Sequence, residues 1–252
     1  SPTDALKEKY ELILKKAQLF VLLTGYRNYV DNGDLIHGNN GRKIHFAEGE
    51  KTPWDWQLEK DSAALMKRGY RALDILISEL DSSDFEEWKN SDQYKKASDL
   101  FLYNTDEFHS IYPIGKSGQL YYQLVPFMKD IERLRVNTIL GADKVTELKG
   151  VLREGANDAQ ELLITYASQI VAYRTLAKAS RLLPEEMLDF PVNYRLSKEQ
   201  REDVREKRAK RFDQEAEDYE GLLEGELAKQ NGTYTEVDAT RGIKKENKFV
   251  NL

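Results

Sequence analysis

A helix, a short extended connector and a second long helix follow one another twice in this chain, and this repetition constrains the fold more than any other feature. The clearer copy runs from Glu161 to Leu227. Its opening, Glu161–Ala167, aligns with Glu11–Ala17, and its closing leucine-rich run aligns with the run that ends at Leu80. Self-similarity at a spacing of about 150 residues indicates an internal duplication. We therefore predict a mainly α fold, helical bundle-like and internally duplicated, in which each copy has a small β-hairpin or strand between two long helices.

The first copy opens with a predicted helix over Asp4–Val30. Its apolar residues recur at spacings of three and four, the period of one helix face, and the unbroken apolar run Leu19–Leu23 predicts a fully buried middle. The tetrapeptide Gly38–Gly41 then predicts a hairpin, because asparagine and glycine tolerate the left-handed backbone of a tight reversal. A second helix is predicted over Thr52–Leu80, with a proline at its first position.

The second copy repeats this order with stronger helix signals. A helix is predicted over Asp158–Leu183, ending before a proline. Phe190, Val192 and Tyr194 then alternate with other residues, which predicts a strand in the place that the hairpin holds in the first copy. A capping-box sequence at Ser197 begins a last helix that continues to about Gln230.

The repeat divides the chain into four segments. We predict a first lobe, a bridging segment, a second lobe and an extended C-terminal tail, at residues 1–82, 83–116, 117–230 and 231–252. The second lobe should begin with a helix from Ser117 to Leu140 that contains Pro126, which kinks it or delays its start. The first copy lacks an equivalent of Gln119–Gly150, so we expect a further segment before Ser1.

Composition excludes several classes of function. The chain has no cysteine, which excludes disulfides and thiolate chemistry. A formal net charge of −6 argues against a general nucleic-acid coat, which is normally basic. No apolar run approaches the roughly 18 residues of a membrane span, so no membrane partner is expected.

The sequence also lacks a recognisable catalytic motif. There is no phosphate-binding glycine loop, nucleophile elbow or zinc-protease helix. His37 and His45 flank the predicted hairpin near Asp34, but a zinc site needs further ligands at clear spacings, and His109 is distant in sequence. We predict no enzyme activity, no metal and no cofactor.

The last helix has an unusual distribution of charge. Between Arg201 and Arg211 it has six basic and three acidic residues, and between Asp213 and Glu226 it has seven acidic residues and none that is basic. This polarity opposes the dipole of the helix itself. One interpretation is a solvated face with pairs such as Asp203–Lys207 and Glu206–Lys210.

The other interpretation of this charge pattern is a head-to-tail contact, in which the basic half of one subunit meets the acidic half of the next. Contacts of this kind build rings. The candidate subunit-interface residues are Arg201, Arg205, Arg208, Arg211, Asp213, Glu217, Glu220 and Glu224.

Aromatic residues leave two interpretations open. The 14 tyrosines either fill an aromatic-rich core or cover surfaces that become buried on assembly. Trp54 and Trp56 are predicted to anchor the hairpin to the helix that follows it.

A series of short motifs resembles an uncharacterised family encoded in phages and prophage-like elements of Bacteroidota. The motifs are Trp88-Lys-Asn-Ser-Asp-Gln-Tyr94, Asn104-Thr-Asp-Glu-Phe108, Tyr112-Pro-Ile114, Leu124-Val-Pro126 with Glu132, and Ile139-Leu-Gly141. The likeness covers roughly Trp54 to Gln230 and contains no catalytic signature. Members of the family resemble head–tail connector or adaptor subunits.

This resemblance implies a structural protein of the phage particle. It implies a homo-oligomeric ring at the virion neck, assembled in the host cytoplasm, that contacts portal and tail or neck proteins. DNA would pass through its lumen without sequence recognition. The alternative is a cytoplasmic helical module that binds a protein or peptide in the groove between its lobes.

Overall fold

The protein is mainly helical. The computed structural model describes residues 2–33, 35–38, 41–44, 54–188, 193 and 195–232. The α-helices in these ranges are α1 Pro2–Gly33, α2 Asp55–Ser82, α3 Glu86–Lys89, α4 Asp92–Ser98, α5 Thr105–Ile111, α6 Gly118–Ile131, α7 Asn137–Leu140, α8 Ala142–Val151, α9 Asp158–Leu182 and α10 Lys198–Gln230. A π-helical turn, Glu132–Val136, joins α6 to α7, and a 3₁₀ turn, Glu185–Met187, follows α9.

Two short strands lie between α1 and α2. Strands β1 (Leu35–Gly38) and β2 (Gly41–Ile44) pair antiparallel, with Leu35 opposite Ile44 and Gly38 opposite Gly41. They overlap the segments from which a hairpin is predicted. The strand predicted around Phe190 lies outside the described residues.

Polar side chains start most of the helices after residue 83. Each accepts a hydrogen bond from a backbone N–H three residues further on, which satisfies one of the donors that a helix start leaves without a partner. These caps are Ser91, Asn104, Ser117, Asn157 and Ser197. The predicted starts at Ser117 and Ser197 are confirmed.

Helices α1 and α2 form an antiparallel pair. Lys16 on α1 forms an ion pair with Glu79 on α2, and an added Cβ at Gly69 would lie 3.6 Å from Thr24 Oγ1. The Tyr10 ring lies edge-on to Phe85, with centroids 4.6 Å apart. Of the α1 residues at the predicted apolar spacing, Ile13, Ala17, Phe20 and Leu23 are half-buried, whereas Tyr10 is 45% exposed.

The prediction of a buried middle for α1 is wrong. Leu19, Val21 and Leu22 are 47%, 65% and 68% exposed. A run of five apolar residues covers every side of a helix, and α2 covers only one side of α1.

Helix α9 lies at the centre of the hydrophobic core. Leu163, Ile170 and Leu176 on α9 are at most 1% exposed, and α10 packs antiparallel along its length. At one end of the pair, Gln230 Nε2 donates to the carbonyl of Ala159 at 3.1 Å. The predicted bounds of α9 and α10 are confirmed to within about two residues.

The segment predicted as a bridge, residues 83–116, contributes to the same core. It supplies the buried side chains of Phe101, Leu102 and Phe108, which belong to the same hydrophobic cluster as the core residues of α6 and α9. Tyr121 on α6 is fully buried and donates from its hydroxyl to the Leu102 carbonyl at 2.7 Å. This segment is therefore packed structure and not only a connection.

Helix α2 is fixed to the second half of the chain at the start of α6. Asp74 on α2 accepts hydrogen bonds from the Ser117 hydroxyl and the Gln119 backbone N–H, both at 2.8 Å. Gly118 allows this close approach, because a Cβ there would lie 2.5 Å from Ile77 Cγ2. Burial raises the pKa of Asp74, and these two hydrogen bonds oppose that shift.

Candidate assembly surfaces

Arg205 on α10 stabilises the end of α9. Its guanidinium donates to the carbonyls of Ser180, Arg181 and Leu183 at 3.0–3.1 Å. The last carbonyls of a helix have no partner within that helix and form its negative end, so a cation placed there is favourable. One of the predicted interface residues therefore acts within the subunit.

Two further basic residues of α10 also pair within the chain. Arg208 lies 3.4 Å from Glu185, whose side chain is almost fully buried, and Arg201 lies 3.2 Å from Glu59 on α2. Lys207 pairs with Asp203 at 2.7 Å on the exposed side of α10, as the sequence predicts for a solvated face.

The acidic half of α10 surrounds Arg174 of α9. Arg174 is 10% exposed at its side chain and donates two hydrogen bonds to Glu220, both at 3.0 Å, and one to Asp213 at 2.9 Å. Glu217 lies 3.6 Å away. Burial lowers the pKa of the Arg174 guanidinium, but the hydrogen bonds to Glu220 and Asp213 outweigh burial and raise the pKa above its ordinary value.

Arg181 on α9 connects the two halves of this charge pattern. It donates two hydrogen bonds to Glu206 and lies 2.8 Å from Asp213. Because α9 and α10 are antiparallel, the basic start of α10 lies beside the negative end of α9. The charge polarity of α10 therefore complements the dipole and the arginines of α9. Of the eight predicted interface residues, Arg211 and Glu224 are the two exposed ones outside this network of described contacts.

The outer side of α1 is an exposed apolar surface. Tyr10, Leu14 and Val21 lie on one flank of it. A second flank, here called the α1 seam, consists of Leu12, Lys15, Leu19, Leu22, Tyr26 and Tyr29. The apolar members of the seam are between 45% and 70% exposed. Among the residues from Gln18 to Val30, only Arg27 is charged, and it is half-buried.

A monomeric protein exposes apolar side chains singly, whereas a contiguous apolar surface of this length marks an interaction site. The run Leu19–Leu23, which includes two members of the seam, was predicted to be buried, and this surface was therefore missed. Tyrosines occupy both kinds of position, since Tyr121 is fully buried whereas Tyr26 and Tyr29 are exposed.

A cleft of about 540 Å³ separates α2 from α4, α5 and α6. Asp81 lies in it and accepts hydrogen bonds from Trp88 Nε1 at 2.7 Å and from the Tyr122 hydroxyl at 2.8 Å. Burial raises the pKa of Tyr122, and the negative charge of Asp81 raises it further. The cations in its wall already have partners, since Arg153 binds the Ser98 carbonyl and Lys116 pairs with Asp106.

A second cleft, of about 520 Å³, lies over the π-helical turn. Glu132 in this turn is 4% exposed and accepts hydrogen bonds from the Phe101 N–H at 2.7 Å and from Lys149 Nζ at 2.5 Å. Burial raises the pKa of Glu132, although the charge of Lys149 opposes the shift. Glu132 thus holds the segment before α5 against α6 and α8, and both of its oxygens are occupied.

The described residues contain no group of three or more histidine, aspartate or glutamate side chains that could hold a metal ion. Asp34, His45 and the side chain of His37 lie outside the described residues. The prediction that the two hairpin histidines bind no metal therefore stays a prediction. Within the same described part of the chain, no helix has the length and apolar character needed to cross a bilayer.

The tryptophans at the start of α2 have different surroundings. Trp54 is 68% exposed, and its ring lies 6.2 Å from that of Trp56. The Arg195 guanidinium lies 5.5 Å from the Trp56 ring. Their predicted contact with the hairpin involves side chains outside the described ones.

The fold and these surfaces define a mainly helical protein with one long apolar helix face turned outward. Residues 2–98, which include α1 to α4, match the sequence model of a family of unknown function (DUF6712). No curated protein and no solved structure matches the chain significantly.

Proposed function

We propose that this protein is a structural subunit of an oligomer, and specifically a head–tail connector or adaptor ring subunit at the neck of a phage particle. The observation that carries the proposal is the exposed apolar side of α1, which the described part of one subunit leaves uncovered. Burying such a surface is the main driving force of most protein association.

The connector assignment itself rests on the motif resemblance from Trp88 to Gly141. In this proposal the ring forms in the host cytoplasm, joins portal and tail or neck proteins, and lets DNA pass without reading its sequence. The net charge of −6 belongs to the whole chain, and a lumen needs only a suitable local charge.

We further propose that the two antiparallel helix pairs, α1–α2 and α9–α10, descend from one duplicated unit. The first helix of each pair contains one of the two aligned sequences, Glu11–Ala17 in α1 and Glu161–Ala167 in α9. In each pair, a connector of at least a dozen residues joins the two helices. The strand-containing connector of the second copy remains part of this proposal.

The geometry favours α1 over α10 as the main subunit contact. Six of the eight charged residues predicted for a head-to-tail contact already form ion pairs or hydrogen bonds within the chain. Reversing the charge of Arg208 would break its pair with Glu185, so this change alters the fold as well as any interface. Arg211→Glu is the better test of the head-to-tail contact, because Arg211 is exposed on α10.

The test of the connector is assembly with its expected neighbours. Negative-stain imaging of the pure protein, alone and mixed with a portal protein of the proposed particle, should show rings. Particles that stay smaller than a ring at every concentration and after addition of portal would contradict the proposal.

The cleft beside Asp81 favours a second candidate, the protein-binding module. This cleft lies between the predicted lobes and is lined by Tyr94, Tyr103 and Tyr122, a residue type enriched in recognition surfaces. In this alternative, Tyr103→Ala would abolish capture of a partner by the monomer while assembly stays unchanged.

A further inference from the structure

We infer that two copies of this chain pair through the α1 seam, with their α1 helices antiparallel about a two-fold axis. The inference rests on the proposed role as a self-assembling subunit and names the surface that the subunits use. The partner is therefore a second copy of the same chain.

The first argument is the spacing of the seam. Its residues, at positions 12, 15, 19, 22, 26 and 29, alternate between steps of three and four. This is the heptad pattern with which one helix packs side chains into the gaps of another helix. Half-buried residues such as Ile13, Phe20 and Arg27 recur every seven positions along the side of α1 that faces α2. One helix therefore has two packing sides, and α2 occupies only the inner one.

The second argument concerns orientation, which Lys15 decides. In a parallel pair in register, Lys15 would oppose the partner's Lys15 between the apolar positions Leu12 and Leu19. In an antiparallel pair centred between Phe20 and Val21, Lys15 instead lies opposite the partner's Tyr26, whose ring face attracts a cation. The same register sets Leu12 against the partner's Tyr29 and Leu19 against the partner's Leu22. Only the antiparallel register pairs every apolar member of the seam without opposing like charges.

The third argument is the area available. Tyr26 and Tyr29 are 54% and 70% exposed. From the usual burial of an aromatic side chain, these two residues offer roughly 200 Å² per copy. With three leucines added, the seam remains below the roughly 800 Å² per partner of a standard interface. The pair should therefore be reversible, and its population should depend on protein concentration.

A two-fold pair is closed, because each copy uses the same surface. A ring needs a second and different contact between such pairs. The pairing of α1 and the formation of a ring can therefore succeed or fail separately.

Disulfide trapping tests the pairing, because the chain has no cysteine of its own. Leu12→Cys and Tyr29→Cys variants, distinguished by mass tags, are mixed and oxidised under mild conditions. Antiparallel pairing predicts the mixed Leu12→Cys/Tyr29→Cys disulfide as the main product, with little homodisulfide of either variant. Lys207→Cys, on the exposed side of α10, is the control for random collision.

Other outcomes overturn the inference. Homodisulfides of Leu12→Cys in excess of the Lys207→Cys control would mean a parallel pair. A Tyr29→Cys thiol that is protected from a labelling reagent in a strictly monomeric protein would mean that the chain's own residues, such as 233–252, cover the seam. Mixed disulfides without rings would leave the pair established and refute the connector.

A charge placed in the seam gives an independent measurement. Leu22→Asp should weaken the pair by roughly 30-fold or more, as expected for a central apolar contact. Circular dichroism and thermal unfolding of the monomer should stay unchanged, because Leu22 is 68% exposed. An unchanged dissociation constant would refute the α1 seam as the contact.

Discussion

The two long helix pairs of this protein differ in what surrounds them. In the α9–α10 pair, α9 is covered on all sides between Tyr166 and Ser180, and residues such as Ile170 and Leu176 are almost completely buried. In the α1–α2 pair, the described residues cover α1 on one side only, although its sequence is at least as apolar in the middle. Apolar content alone therefore does not determine burial within a subunit. The number of neighbouring elements that the fold supplies determines it.

The charges of the two pairs differ in the same way. Arg174 and Arg181 join α9 to the acidic residues of α10 through several hydrogen bonds, whereas one described ion pair, Lys16–Glu79, joins α1 to α2. The first pair is therefore specified by both packing and charge. The α1–α2 pair is held mainly by apolar contacts along one side of α1.

The largest expected contrast comes from matched leucine truncations in the two pairs. Leu163→Ala, at a fully buried position of α9, should lower the free energy of unfolding by about 3–4 kcal/mol, through lost burial and the cavity left behind. Leu22→Ala on α1 should change it by less than about 0.5 kcal/mol in the monomer. Urea unfolding at low protein concentration measures both, and equal losses would show that α1 is covered within the subunit.

The charge network of α9 and α10 gives the next largest effect. Arg174→Ala removes the partner of Glu220 in a half-buried position and leaves Asp213 with its contact to Arg181, so we expect a loss of about 2–3 kcal/mol in the free energy of unfolding. Lys207→Ala is the control, since its pair with Asp203 is exposed and should contribute less than about 0.5 kcal/mol. A negligible effect of Arg174→Ala would mean that packing alone specifies this pair.

The contact between the two halves of the chain depends on Gly118. Gly118→Ala places a methyl group against Ile77 and should destabilise the protein by about 1–3 kcal/mol. Gly221→Ala, in the interior of α10 with open space around it, should stabilise by up to about 1 kcal/mol. Thermal unfolding of the two variants should therefore shift in opposite directions, and a shared direction would refute the close approach of α2 and α6.

The smallest effect is a dependence on pH that burial of Glu132 produces. Its pKa is raised in the folded state, so its contribution to stability is fully present below its ordinary value of 4.5 and is lost as pH rises through the raised pKa. Relative to Glu132→Gln, the wild type should therefore lose stability across this window. The measurement is the difference between the two proteins in urea unfolding from acidic to neutral pH. If this difference in the free energy of unfolding does not change with pH, then folding does not raise the pKa of Glu132.

The sequence predicted the helices well where local signals decide them. Ser117 and Ser197 begin helices because their side chains satisfy backbone donors a few residues away, and such caps are visible in the sequence. The mainly helical class follows from the same signals. Burial could not be predicted in the same way, because the run Leu19–Leu23 indicates apolar character but not which neighbours cover it.

The partners of the charged residues on α10 could not be predicted for a related reason. The polarity of α10 conflicts with its own dipole, and only the antiparallel position of α9 explains it through Arg205 and Arg174. The burial of Glu132 was not predicted, because its neighbours Arg133 and Arg135 are typical of a solvated face. No simple spacing rule predicts the π-helical turn, and this turn places the Glu132 side chain in the protein interior.

The most direct test of the account is sedimentation velocity of the wild type and of Leu22→Asp, from dilute to concentrated protein. The account predicts that the wild type passes from monomer to dimer or larger species as its concentration rises, while Leu22→Asp stays monomeric and folded. A wild type that remains monomeric throughout, or a variant that associates as strongly as the wild type, would contradict the claim that the outer side of α1 is a surface for a second copy.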